Sequence, residues 1–118
     1  MLDCGDGVFT DTGGENGDYQ NGENVQTTIC PQPDSVGQCV LLNFLSFEIE
    51  NGFDDLYIYD GQDTNAPFIG EYTDTNSPGV VVASDSCLTI VFQSDGSVTD
   101  PGWVADILCV ECLSLIHI

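Results

Sequence analysis

Apolar side chains recur at every second position in four separate stretches of this chain. Val40, Leu42 and Phe44 share one side, as do Leu56 and Ile58, then Leu88, Ile90 and Phe92, then Trp103, Ala105 and Ile107. A period of two is the signature of a strand that buries one face. Stripes from four strands suffice for a common core between two sheets. No window sustains the i, i+3, i+4, i+7 apolar spacing of a helix. The 13 glycines punctuate the chain, with Asp, Asn, Ser and Thr beside them. Strands are predicted near 25–30, 39–49, 55–59, 68–73, 80–83, 87–93 and 103–110, with a short one around 8–9. Seven or eight short strands at this spacing indicate an all-β antiparallel sandwich or barrel.

At 118 residues the chain has the size of one domain. It carries 20 acidic residues and no Lys or Arg, for a formal net charge of −20. Without a cationic side chain it has no electrostatic footprint for a phosphate backbone, so no nucleic-acid partner is expected. An anionic membrane surface repels such a chain. Its longest apolar run is too short to span a bilayer, so no membrane insertion is expected. A lysine Schiff base or an arginine clamp is impossible. With 42% hydrophobic and 9% aromatic residues, it is no disordered acidic tail.

Six cysteines are present: Cys4, Cys30, Cys39, Cys87, Cys109 and Cys112. Their spacing lacks two separated CxxC pairs, and the only histidine is His117, which argues against zinc. Disulfides and a secreted, extracellular setting are the better reading. Met1-Leu2-Asp3-Cys4 is not a signal peptide, so the chain reads as a fragment of a larger secreted protein. The closing run Leu113-Ser114-Leu115-Ile116-His117-Ile118 is similar to a translated sequencing adapter. The expected division is therefore a domain at 4–110 and a non-domain tail at 111–118.

One family resemblance is carried by an ordered set of motifs. Val40-x-Leu42-x-Phe44-x-x-Phe47-x-Ile49-Glu50 is followed by Phe53-Asp54-Asp55-Leu56-x-Ile58-Tyr59-Asp60-Gly61, then by Ala66-Pro67 and Ile69-Gly70. Leu88-x-Ile90-x-Phe92-x-Ser94-Asp95-x-Ser97 and Gly102-Trp103-x-Ala105-x-Ile107 complete it. The set resembles a CUB domain, and Phe9-x-Asp11-x-Gly13-Gly14-x-x-Gly17-x-Tyr19 resembles the opening of bacterial members. The resemblance implies an antiparallel β-sandwich of two sheets with jelly-roll topology. It implies a non-catalytic extracellular binding module set among other domains of a parent chain.

In the calcium-binding subset of that family, the ligands match Glu50, Asp54 and Asp95 here, with oxygens from the region of Gly96 and Ser97. Ca²⁺ takes about six to eight hard oxygen ligands, and a dication relieves the mutual repulsion of clustered carboxylates. Tyr19 reads either as the tyrosine that hydrogen-bonds a calcium carboxylate in some members or as an exposed loop residue. Two features depart from the pattern. The loop at 51–53 lacks the cysteine many members carry, and Val98 stands where an amide oxygen can serve as ligand. Both imply a weaker, wetter site. The resemblance also implies a Cys4–Cys30 bridge. Cys39 and Cys87 both begin core strands, so Cys39–Cys87 is the expected second pair; Cys109–Cys112 is the remaining one, or Cys109 pairs outside the fragment if Cys112 belongs to the adapter-like tail, out of 15 connectivities that six cysteines allow.

Catalysis is not expected. Asp54 and Asp55 are adjacent on a strand and point to opposite faces, so they cannot flank one bond. Asp95-Gly96-Ser97 lacks an internal histidine as base. Asp60-Gly61 is a turn signal and is left out of the site. Three functions remain: Ca²⁺-dependent binding of a protein presenting Lys or Arg, a carbohydrate-binding accessory module using Tyr57 and Tyr59, or a structural spacer. Salt sensitivity separates the first from the second.

Overall fold

The computed structural model describes residues 2–11, 13–14, 19, 22–32, 37–50, 54–94 and 101–112. Nine strands form two sheets. They are β1 (Leu2–Asp3), β2 (Val8–Thr10), β3 (Asn24–Cys30), β4 (Gln38–Glu48), β5 (Asp55–Tyr59), β6 (Phe68–Tyr72), β7 (Val80–Val82), β8 (Leu88–Gln93) and β9 (Gly102–Glu111). A short 3₁₀ turn at Cys4–Asp6 follows β1. One sheet has the order β1-β3-β8-β5-β6 and the other β2-β9-β4-β7. All pairs are antiparallel except the two-residue contact of β1 with β3. The sandwich expected from the alternation is therefore the observed fold, with the short β1 added.

The stripes meet as their period requires. Val40, Leu42 and Phe44 from β4 face Leu56 and Ile58 from β5, Leu88, Ile90 and Phe92 from β8, and Trp103, Ala105 and Ile107 from β9 within one buried core. β4 and β9 are the long central strands of their sheet, in register from Gln38 opposite Glu111 to Glu48 opposite Gly102. A bulge between Phe44 and Ser46 shifts that register by one residue. It lets both Phe44 and Phe47 point inward, where their rings pack edge to face at 6.3 Å. Asp60 and Gly61 do not form a two-residue hairpin. The β5–β6 connection spans 60–67, and Asp60 accepts hydrogen bonds from the Ser84 amide (2.9 Å) and hydroxyl (2.6 Å).

The cysteine pairing differs at all three expected bridges. The structure joins Cys4 to Cys109, Cys30 to Cys87 and Cys39 to Cys112. Register explains each. Ile29 on β3 lies opposite Leu88 on β8, so the next antiparallel step places Cys30 against Cys87, with Cα atoms 4.4 Å apart. Cys30 is thereby taken from Cys4, and Cys87 from Cys39. Asp3 is opposite Cys30 in the parallel contact, and the chain then turns so that Cys4 reaches Cys109 on β9. Cys109 cannot bridge Cys112 locally. Three residues of extended chain span roughly 10 Å, beyond the reach of a disulfide. Cys112 instead meets Cys39 across the β4–β9 pair, with Cα atoms 5.1 Å apart. All three bridges gather at the end of the sandwich where β3 stops and β4 and β8 begin. The opposite end is left to the acidic loops.

Candidate functional site

At that opposite end β4 runs out into Glu50, and Asp54 leads into β5. Core packing places a third group there. The rings of Phe9, Trp103, Phe92 and Tyr19 form a chain of tilted and edge-on contacts with centroid separations of 5.5, 4.9 and 4.8 Å. This buries Tyr19 to 2% exposure and carries its hydroxyl to the rim of the core. A buried tyrosine hydroxyl needs partners. It donates to Oδ2 of Asp54 and accepts from the Glu50 amide at 3.0 Å. Of the two readings of Tyr19, the hydrogen-bonding one holds.

The Asp54 carboxyl group is fully buried. Its own amide donates to the Glu50 carbonyl at 3.1 Å, which closes a turn between the two acids. The Thr73 hydroxyl, just after β6, lies 2.8 Å from the Asp54 carbonyl and 3.1 Å from that of Glu50. Next to it the Asp74 carbonyl accepts from the Ile49 amide at 3.1 Å. Glu50 and Asp54 are thus held from three directions. Among the described residues these contacts fix the backbone of both acids and one oxygen of the Asp54 carboxyl group. The Asp54 side chain is buried while Asp55 takes part in the outer sheet face, so the two do not act on one substrate bond.

Asp95, Gly96 and Ser97 lie outside the described residues, as does Val98. The segment that leads to them is anchored. The Ser94 amide donates to the Glu23 carbonyl, and the Glu23 amide donates to the Ser94 hydroxyl, both at 2.8 Å. Among the described residues no group of three or more His, Cys, Asp or Glu is close enough to hold a metal ion. Of the acids expected as ligands, Glu50 and Asp54 are the two that the described residues bring together.

Sequence reasoning missed Asp11 as a structural acid. It follows β2, is 5% exposed, and its carboxyl packs against the Cα of Gly102 so closely that a Cβ there would overlap it. Gly102 has a φ of +80°, which an L side chain rarely adopts. The opening motif Phe9-x-Asp11-x-Gly13-Gly14 includes it, but among 20 acids the local sequence does not say that it is buried. A groove of about 950 Å³ runs along β2 and β3 beside it, and among the described residues Asp11 is the one carboxylate in its lining. Among the described residues no helix is long and apolar enough to cross a membrane.

Solved structures share this architecture. The CUB1-EGF-CUB2 region of human MASP-1/3 superposes with a TM-score of 0.73 over 88% of this chain and 39% of that one, at 23% identity. The MASP-1 CUB2 domain bound to Ca²⁺ matches with a TM-score of 0.68 over 86% of this chain and 89% of that one, also at 23% identity. In sequence, mouse Tolloid-like protein 2 is 38% identical over 82 residues, covering 66% of this chain and 8% of that protein. Exoskeleton protein RP43 of Riftia pachyptila is 34% identical over 105 residues, covering 83% of this chain and 23% of that protein. The chain thus spans a minor part of the length of these curated relatives. The CUB domain family model matches residues 6–106, across all the strands that build the core and both acids held by Tyr19, and the chain belongs to the CUB domain family.

Proposed function

We propose that this CUB domain is a non-catalytic binding module of a secreted protein, and that its acidic end holds one Ca²⁺ and receives a basic side chain of a protein partner. Glu50 and Asp54, with Asp95, Gly96 and Ser97, would supply the oxygens. The observation that carries the reading is the Tyr19 hydroxyl, which ties the Glu50 backbone to the Asp54 carboxylate at the rim of the core. The calcium-bound MASP-1 CUB2 structure supports it at the level of shared fold. Bound there, the ion would neutralise converging carboxylates and fix the loop at 95–97. The residual negative charge of the loops would then accept a Lys or Arg donor, a charge-assisted contact that no cation of this chain can pre-empt. Three disulfides in so short a chain fit an oxidising, extracellular compartment.

Calorimetric titration of the metal-stripped domain tests this. Ca²⁺ should bind at one site and stabilise the fold by roughly 2.7 kcal/mol at a hundredfold excess over Kd. Asp95→Ala should abolish most of that gain. Asp60→Ala, which removes only the contact to Ser84, should not. Absence of both binding heat and a melting shift would refute the site and leave the carbohydrate-binding or spacer reading.

A further inference from the structure

The outer face of the five-stranded sheet is unlike the rest of the surface. Cross-strand register lays it out in rows. Thr28, Thr89, Tyr59 and Phe68 form one row, and Gln26, Val91, Tyr57 and Glu71 the next. Asn24, Gln93 and Asp55 follow. Phe68 is 55% exposed on the edge strand β6. Its ring contacts both Tyr59 (5.4 Å) and Tyr57 (6.4 Å), so three aromatic rings form one tilted cluster on the outside of the sheet. Their neighbour inside the sheet, Ile58, packs in the core, so the cluster stands on a rigid base.

Two carboxyl groups flank this cluster. Asp55 and Glu71 are diagonal neighbours on this face across the β5–β6 pair. Burial and the same acids push the Tyr57 phenol upward. The register thus sets two acidic side chains beside the aromatic cluster, where a cation would be complementary. The chain has no Lys or Arg with which to supply one.

We propose that this face is a second docking surface, which takes an arginine side chain of a basic polypeptide, its guanidinium stacked on Tyr57 and Phe68 and donating to Asp55 and Glu71. The argument is charge complementarity combined with shape. A guanidinium is planar, permanently charged, and stacks on aromatic rings while its forked N–H groups engage carboxylates. An ammonium would satisfy the charge but not the stack. A neutral sugar would satisfy the stack but leave the paired acids uncompensated. The surface needs no metal ion, so it stands independently of the acidic end.

The test is a nuclear magnetic resonance titration of the full 118-residue chain in EDTA at low salt, with hexa-arginine, hexa-lysine and cellohexaose as separate probes. Hexa-arginine should shift the ring signals of Tyr57, Tyr59 and Phe68 and the amides of β5 and β6, and should bind more tightly than hexa-lysine. Asp55→Asn with Glu71→Gln should weaken it at least about tenfold. The charge-matched pair Asp85→Asn with Glu111→Gln, on exposed positions away from β5 and β6, should weaken it less than about twofold. Equal losses in the two double variants would reduce the effect to the general field of the chain and overturn the proposal. So would shifts confined to the Tyr19 end, or ring shifts produced by cellohexaose and not by hexa-arginine. Should the Asp55/Glu71 variant fail to fold, the map on the unaltered chain decides alone.

Discussion

Replacing Tyr19 with Phe removes a single oxygen and should cost the domain much of its stability. The ring itself would keep its edge-on packing against Phe92. Among the described residues the hydroxyl donates to the fully buried carboxyl of Asp54 and accepts from the Glu50 amide. A hydrogen bond to a charged group contributes about 1.5–3 kcal/mol, and a donor left unsatisfied inside the protein costs about 1–3 kcal/mol. Glu50 is half-buried, so water can partly replace the second contact. The expected loss is about 3 kcal/mol, a large share of the roughly 5–15 kcal/mol that holds a domain folded. For a domain of this size it corresponds to a fall in Tm of about 15 °C. Urea denaturation in EDTA, followed by tryptophan fluorescence from the buried Trp103, measures it directly. Tyr59→Phe, on the outer sheet face, is the control and should change stability by less than about 0.5 kcal/mol. A loss below about 1 kcal/mol for Tyr19→Phe, with an unchanged denaturant slope, would refute the view that this hydroxyl organises the acidic end.

Gly102→Ala should destabilise the domain by about 2–4 kcal/mol, because it forces a side chain into φ +80° and onto the Asp11 carboxyl; an alanine variant melting with the parent would show that Asp11 yields. Non-reduced peptide mapping should recover Cys4–Cys109, Cys30–Cys87 and Cys39–Cys112, and Cys39→Ala with Cys112→Ala, which opens a bridge of sequence separation 73, should lose about 4 kcal/mol. A dominant Cys4–Cys30 peptide would contradict the register argument. We propose that residues 113–118 are dispensable, so truncation after Cys112 should shift stability by no more than about 0.5 kcal/mol in thermal melts; a loss of several kcal/mol would place Leu115 and Ile116 in the core.

The strands and their inward faces were legible in the sequence because each depends on local alternation. Leu56 and Ile58 are buried for the same reason that they stand two apart between polar turns. The family motifs likewise marked Glu50 and Asp54, and the structure holds both against Tyr19. The absence of any Lys or Arg needed no structure either, and it limits every partner the domain can take. The disulfides were not legible, since each joins segments far apart in the chain: the register of β3 with β8 sets Cys30 against Cys87, and the pairing of β4 with β9 brings Cys112, just past β9, to Cys39. A shift of one residue in either would change every partner. Whether Tyr19 was an exposed loop residue or a buried anchor depended on the aromatic chain through Phe9, Trp103 and Phe92, which only packing assembles. Asp11 was hidden among 20 acids until Gly102 was seen beneath it, and the pairing of Asp55 with Glu71 required β6 to lie beside β5. Period, composition and motif are properties of neighbours along the chain. Register and burial are properties of neighbours in space, so only the folded sandwich decides them.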